Sequence, residues 1–281
     1  MRQVTALQST DIERPVLDLS GEALRAGLRA VVAGSEEHGG IERYVDAVKL
    51  KSRMFRQALV ENSVDELELE TFKGLCTFMA TVRRRIGHWL TADAFDAMRM
   101  HIKELVGGEA DIDTRIAGFC SRFPDDKRHR WVRDLAAELL HNADPERVPL
   151  MNRWVWDATA NTGVIREIWH AADVDHMTIP VGDGYGTYLM LREELSQFLS
   201  EEGVFRDVLQ YVDILCAQVY AQYICEQGGS YLRTDFSAPE DPMEHTRRLL
   251  GLDGVQPGNG KTRLKSIDGE AFVIEDNTLL N

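Results

Sequence analysis

The stretch VFRDVLQYVDILCAQVYAQYICEQ, residues 204–227, constrains the fold more than any other part of the chain. Read at the helical period, its apolar side chains run around most of the circumference rather than along one stripe. A helix of that kind is stable only when other elements cover it on several sides. It is therefore expected at the centre of a helical bundle, with Leu215 and Val219 fully buried. It does not read as a membrane span, because charged residues such as Arg206, Asp207, Asp213 and Glu226 interrupt it.

The remaining segments supply candidates to surround it. Ser20 is placed to cap a helix running to about Ala33, and the segment from Ile41 to Asn62 resumes the pattern after Gly39-Gly40. The clearest periodicity lies between Ser63 and Leu90. Leu67, Phe72, Leu75, Phe78, Met79, Val82, Ile86 and Trp89 share one half of the wheel there, with Ser63 and Glu66 spaced as a capping box. Thr91 is placed to cap the next helix, which should end at Gly107-Gly108, and a short helix should precede Pro124. Helices are also expected over Lys127–His141 and from Tyr188. HMTIPV, residues 176–181, is the one internal strand candidate. Residues 1–19 read as an N-terminal arm, with Pro15 opposing an early helix. Residues 20–235 read as the helical domain, and residues 236–281 as a C-terminal extension. In that extension VQPGNGK reads as a linker, and Asp268-Gly269 signals a β-hairpin. The expected fold class is all-α: a bundle-like globular domain with minimal strand and a small C-terminal hairpin.

With 281 residues, 44% of them hydrophobic, the chain can build a sizeable core. Its formal net charge of −14 opposes nucleic acid and anionic lipid at long range. The four cysteines, Cys76, Cys120, Cys216 and Cys225, form no CxxC pair and sit in apolar runs. They read as reduced thiols of a cytoplasmic protein, and no secretory h-region is visible near the start.

REIWHAADVDHM, residues 166–177, raises the sharpest chemical question. Glu167 and His170 are spaced ExxH, as are Glu138 and His141 in AELLH. Two such pairs on separate helices resemble half of a ferritin-like di-iron site, because i and i+3 share a helical face. The wheel speaks against this reading. Glu138 falls at the margin of its apolar arc, His141 outside it, and Glu167 and His170 on the polar side of theirs. A surface cation held by Asp173, Asp175 and His176 is a second metal candidate. The expectation is a solvated helix face and no metal or other cofactor.

Other motifs are weaker. GDGYGT, residues 182–187, stands where a phosphate-binding loop could, but its GxGxG spacing and Asp183 disfavour an anion. GNGKT, residues 258–262, lacks the first P-loop glycine, since Val255 occupies that position. Arg83, Arg84 and Arg85 beside His88 and Trp89, and Lys127, Arg128, His129, Arg130 and Arg133 beside Trp131, could contact phosphates and stack on bases. Arg85, however, falls on the apolar arc, which points to an internal ion pair. Trp154 and Trp156, with polar residues close by, could line a pocket or anchor an interface, but they equally suit a buried helix junction with satisfied polar groups, which is the favoured reading of that segment.

No nucleophile motif stands out. The functional expectation is thus a non-catalytic cytoplasmic accessory, adaptor or assembly protein acting through protein–protein contacts. Its partner would be another protein or a second copy of itself, with neither membrane nor nucleic acid involved. The expected interaction residues are Ile267, Phe272 and Ile274 of the hairpin, together with Trp154 and Trp156. A helical metalloenzyme built on the two ExxH pairs is the main alternative, and a nucleic-acid-directed helical protein the second.

Overall fold

The computed structural model describes residues 14–36, 39–231 and 241–252 and two short strands, 262–265 and 271–274. Among the described residues the fold is all-α. In chain order the helices are α1 (Gly21–Glu36), α2 (Ile41–Arg56), α3 (Leu69–Thr77), α4 (Ala92–Gly107), α5 (Ile112–Cys120), α6 (Trp131–Ala143), α7 (Val164–Glu167), α8 (Tyr185–Glu201), α9 (Val208–Tyr231) and α10 (Pro242–Leu249). A π-helical turn, Gln57–Glu61, extends α2. Strands β1 (Thr262–Lys265) and β2 (Ala271–Ile274) form an antiparallel hairpin, with Leu264 opposite Phe272. The hairpin's turn, Ile267, the GNGK loop and most of the N-terminal arm lie outside the described residues.

Two helices serve as hubs. The apolar helix α9 is packed by α1, α2, α7, α8 and α10, and α6 by α2, α4 and α5. Leu215 and Val219 are buried in the centre of α9, as its all-round apolar pattern requires. The side of α1 that meets α9 and α10 is lined by small residues. A methyl group at Gly27 would sit 3.1 Å from both Leu215 and Val219, and one at Gly34 would sit 2.5 Å from Met243. These glycines let the side chains of Leu215, Val219 and Met243 lie directly on the α1 backbone.

The caps follow the sequence. Ser20 Oγ accepts from Ala23 N, and Thr91 Oγ1 accepts from Ala94 N. Asp111 does the same for α5 through Thr114 N. No helix among the described residues is long and apolar enough to cross a membrane.

Three expectations are corrected. The long helix expected over Ser63–Leu90 is broken. Ser63 (φ 65°) caps only a 3₁₀ turn, and α3 stops at Thr77, after which the chain winds through turns to Ile86. The apolar set is nevertheless buried from Leu67 to Ile86. The freed carbonyls find other donors: Thr77 Oγ1 donates to Gly74 O, and Arg83 to Thr77 O. The break brings Phe78 O against Gly251 (φ 74°), where a Cβ would lie 1.7 Å from that oxygen. Only glycine fits such a contact.

HMTIPV forms no strand. Its Ile179 and Val181 are buried, but its backbone pairs with the side chain of Asn161, which accepts from Ile179 N and donates to Met177 O.

The domain boundary near residue 235 also moves. Met243, Leu250 and Leu252 belong to the main core, so residues 241–252 are part of the body. At the other end, Leu17 is buried, and residues 18–20 pair their backbone with residues 168–170. These attachments depend on surfaces made by distant elements, which local composition does not register.

Because Leu215 lies at the crossing of α1 and α9, Leu215→Ala is expected to cost about 2–5 kcal/mol. Urea denaturation of the wild type and the variant measures this directly.

Candidate functional site

Helix α6 carries the densest cluster of ionisable groups in the interior. Every residue of it except Arg133 is buried, including Asp134, Glu138, His141 and Asn142. This corrects the wheel argument. Glu138 and His141 were expected at the margin of an apolar arc and outside it, yet they are 2% and 5% exposed. An amphipathic wheel finds a buried face only when the other face meets water, and α6 is covered all round.

Each of these groups is matched. Glu138 Oε2 lies 2.8 Å from Lys51 Nζ of α2, whose ammonium also donates to Leu250 O at 3.0 Å. Asn142 and Asn152 donate to the same carboxylate, each at 3.1 Å. Ser52 Oγ donates to Asn142 Oδ1. Asp134 accepts from the backbone N, Nε and Nη2 of Arg153, the last at 2.8 Å. Asp157 accepts from Arg130 at 2.7 Å. Charges taken out of water are tolerated only with this degree of satisfaction.

His141 connects the two hubs. Its Nδ1 lies 2.9 Å from Val148 O, and its Nε2 lies 3.2 Å from Asp213 Oδ2 of α9. Both nitrogens thus face acceptors, which only the doubly protonated ring can satisfy. Burial disfavours that charge. The Asp213 carboxylate and its hydrogen bond, with the Val148 carbonyl, outweigh burial and raise the pKa above the ordinary histidine value.

The pair lines a cleft shared with Tyr188, Arg192 and Cys216, whose free space is about 20 Å³. That is room for a water rather than a substrate. Burial and the neighbouring Asp213 hold the Cys216 thiol far above its ordinary range. Both ring nitrogens of His141 are engaged, so the imidazole turns no free lone pair to that thiol. The geometry ties α6 to α9.

The sequence-derived candidates are dispersed. Glu167 is half-buried and His170 exposed, whereas Glu138 and His141 are internal. Asp173 and His176 are exposed on a 3₁₀ turn that also contains Asp175. No group of three or more His, Cys, Asp or Glu suited to a metal occurs among the described residues. Trp156 is fully buried and donates to Val181 O at 3.2 Å, and Trp154 is buried against Tyr220. Both are core side chains, as the buried-junction reading of this segment has it: Trp154 lies against Tyr220 of α9, and Trp156 between Val181 and Tyr188 of α8.

The GDGYG loop leads into α8, where Tyr185 N donates to the Asp113 carboxylate at 2.9 and 3.0 Å. The anion at this helix N-terminus is therefore the protein's own, supplied by α5. Arg85, expected in an internal ion pair, is exposed, because the helix that would have turned it inward ends at Thr77. The network around Lys51, Glu138 and Asn142 was not legible in the sequence. A lysine and a serine on the buried face of α2 were the only local signal.

Compared with family models, curated proteins and solved structures, the chain matches none.

The raised pKa of His141 fixes the sign of a pH effect. Its contribution is fully present below the unfolded histidine pKa and is lost as pH rises through the folded value. Between pH 6 and pH 9 the wild type should lose stability that His141→Gln does not lose. At pH 6 that variant should be weaker by about 3–5 kcal/mol, as expected when one partner of a buried pair is removed. Urea melts of both proteins at the two pH values test this.

Proposed function

We propose that this chain is a non-catalytic accessory, adaptor or assembly protein that works through protein–protein contacts. The observation that carries the reading is Phe205, which is 77% exposed on the short connection between α8 and α9. The connection is held firmly. Val204 N donates to Leu199 O at 2.9 Å, and Val204 packs on the core. On one side Glu202 pairs with Arg25 of α1 at 3.9 Å, and on the other Asp207 pairs with Lys49 of α2. Gly203 (φ 91°) and Asp207 (φ 55°) adopt the left-handed conformations that turn the chain there. A large aromatic ring is thereby presented to solvent on a braced loop, the arrangement that favours an interface anchor with little ordering cost.

The interior supports the same reading. Its charged groups are consumed in holding helices together, and the cleft beside His141 is too small for a substrate. A cytoplasmic setting agrees with Cys76, Cys120 and Cys216, none of which forms a disulfide among the described residues. The hairpin is the second contact element in this proposal, through Phe272 and Ile274, since a lone two-stranded hairpin is marginal in water. The backbone of β1 lies beside α3 of its own chain, so docking on a partner competes with packing on the body.

Phe205→Ala should leave the melting temperature nearly unchanged, the shift in stability staying within about 0.5 kcal/mol as for an ordinary surface position. Cross-linking and mass spectrometry from native cells should show contacts of the wild type that the variant loses. Identical contact profiles would remove the basis of the reading. Deleting residues 255–281 should lower association while leaving melting intact. A destabilised truncation of unaltered mass in sedimentation would assign the hairpin to the body instead.

The metalloenzyme alternative has its own measurement. Purified protein is expected to carry no stoichiometric iron, manganese or zinc. One equivalent of metal that disappears in His141→Ala and His170→Ala would replace the interaction reading.

A further inference from the structure

The two basic clusters of the sequence, about forty residues apart, meet in the fold. Trp89, which ends the first, packs its ring 4.8 Å from Phe123 and 6.5 Å from His129 of the second. This contact joins the turn carrying Arg84, Arg85 and His88 to the loop carrying Lys127 and Arg128. All five side chains are exposed. None of the four cations Arg84, Arg85, Lys127 and Arg128 has an ion-pair partner among the described residues. Their neighbours differ: Arg122 pairs with Glu104, Arg130 with Asp157, and Arg133 with Asp183.

Exposed cations without an ion-pair partner among the described residues also stand elsewhere, at Arg29, Arg53, Arg56 and Arg206. What sets Arg84, Arg85, Lys127 and Arg128 apart is that two segments joined through Trp89 bring them to one part of the surface, on a chain of net charge −14. We infer that this surface, Arg84, Arg85, Lys127 and Arg128 around Trp89, is the docking site for an acidic segment of a partner polypeptide. The inference rests on the interaction reading above and specifies the chemistry of one partner.

A carboxylate-bearing peptide fits better than a nucleic acid. The Trp89 ring is half-buried and already engaged by Phe123 and His129, which leaves less of it to stack on a base. Asp125 and Asp126 lie in the same loop, and Asp126 already accepts from Arg128 N and His129 N. A continuous polyphosphate would run against them and against the net charge of −14. A short acidic segment can place its carboxylates on the arginine forks while the rest of the partner stays beyond the screening distance of about 8 Å.

The test uses the full chain, a fluorescein-labelled octaglutamate peptide and a labelled oligothymidine of equal charge, read by anisotropy at low salt. Reversing the patch with Arg84→Glu, Arg85→Glu, Lys127→Glu and Arg128→Glu should weaken octaglutamate binding by about tenfold or more, as for loss of paired charges. A control reverses the same number of charges elsewhere on the surface, with Arg29→Glu, Arg53→Glu, Arg56→Glu and Arg206→Glu. It should weaken binding far less, although net charge changes equally. Neutralisation by Arg84→Ala and Arg85→Ala provides the same comparison should the full reversal fold poorly.

Equal losses in patch and control would overturn the proposal, since only net charge would then matter. Tighter, patch-dependent binding of oligothymidine would overturn it in favour of a nucleic-acid surface. If octaglutamate binding tracks the patch while Phe205→Ala changes no cellular contact, the acidic-segment site stands and the Phe205 anchor falls. The opposite result sinks this inference and leaves the broader reading intact.

Discussion

The pairing of Lys51 with Glu138 is the constraint on which the rest of the structure depends. Two opposite charges, 5% and 2% exposed, lie 2.8 Å apart between α2 and α6. Taking them out of water is expensive, and the attraction repays the cost only when every remaining donor and acceptor is met. Leu250 O, Asn142 and Asn152 meet them. The ammonium therefore holds the C-terminal end of α10, the carboxylate holds the segment after α6, and α2 cannot slide on α6. Hydrophobic burial alone would allow many registers of one smooth helix on another. A polar group that must find a particular partner allows few.

The same logic extends outward. His141 and Asp213 tie α6 to α9, and Asp134 and Arg153 tie it to the segment that carries Trp154 and Trp156. Thr246 donates to Gln218 at 2.7 Å, seating α10 on α9. Polar contacts distributed in this way select one arrangement of elements whose apolar surfaces would accept several. Ion pairs to α1 and α2 likewise brace the connection on which Phe205 faces solvent. Function, in this reading, is exported to the surface because the interior chemistry is occupied by architecture.

Much of the fold was legible. The caps at Ser20 and Thr91 were visible as hydroxyls preceding periodic segments, and the central place of α9 followed from its apolar circumference. The buried set from Leu67 to Ile86 was correct even though the helix that predicted it was not continuous. Burial depends on side-chain identity, whereas the break after Thr77, which sets Phe78 O against Gly251 from the far end of the chain, leaves no mark in the periodicity. The site was much less legible. Arg85 was placed on an apolar arc because a helix was assumed beneath it, and Glu138 was placed at the margin of one and His141 outside it because α6 was assumed to have a wet face. Trp154 and Trp156 carried a composition that suits an interface as well as a buried junction, and their burial fits the junction.

What the sequence by itself determined is therefore the class of the fold, the main helices and the identity of most core side chains. These follow from periodicity, capping and the volume of apolar residues, all local or summed properties. The tertiary structure alone decided which charge meets which: Lys51 with Glu138, His141 with Asp213, Asp113 with the start of α8, and the two basic clusters with each other across Trp89. The reason is physical. Electrostatic and hydrogen-bonding energies depend on distance and on exclusion from water, and both are set by elements that lie tens to hundreds of residues apart in the chain.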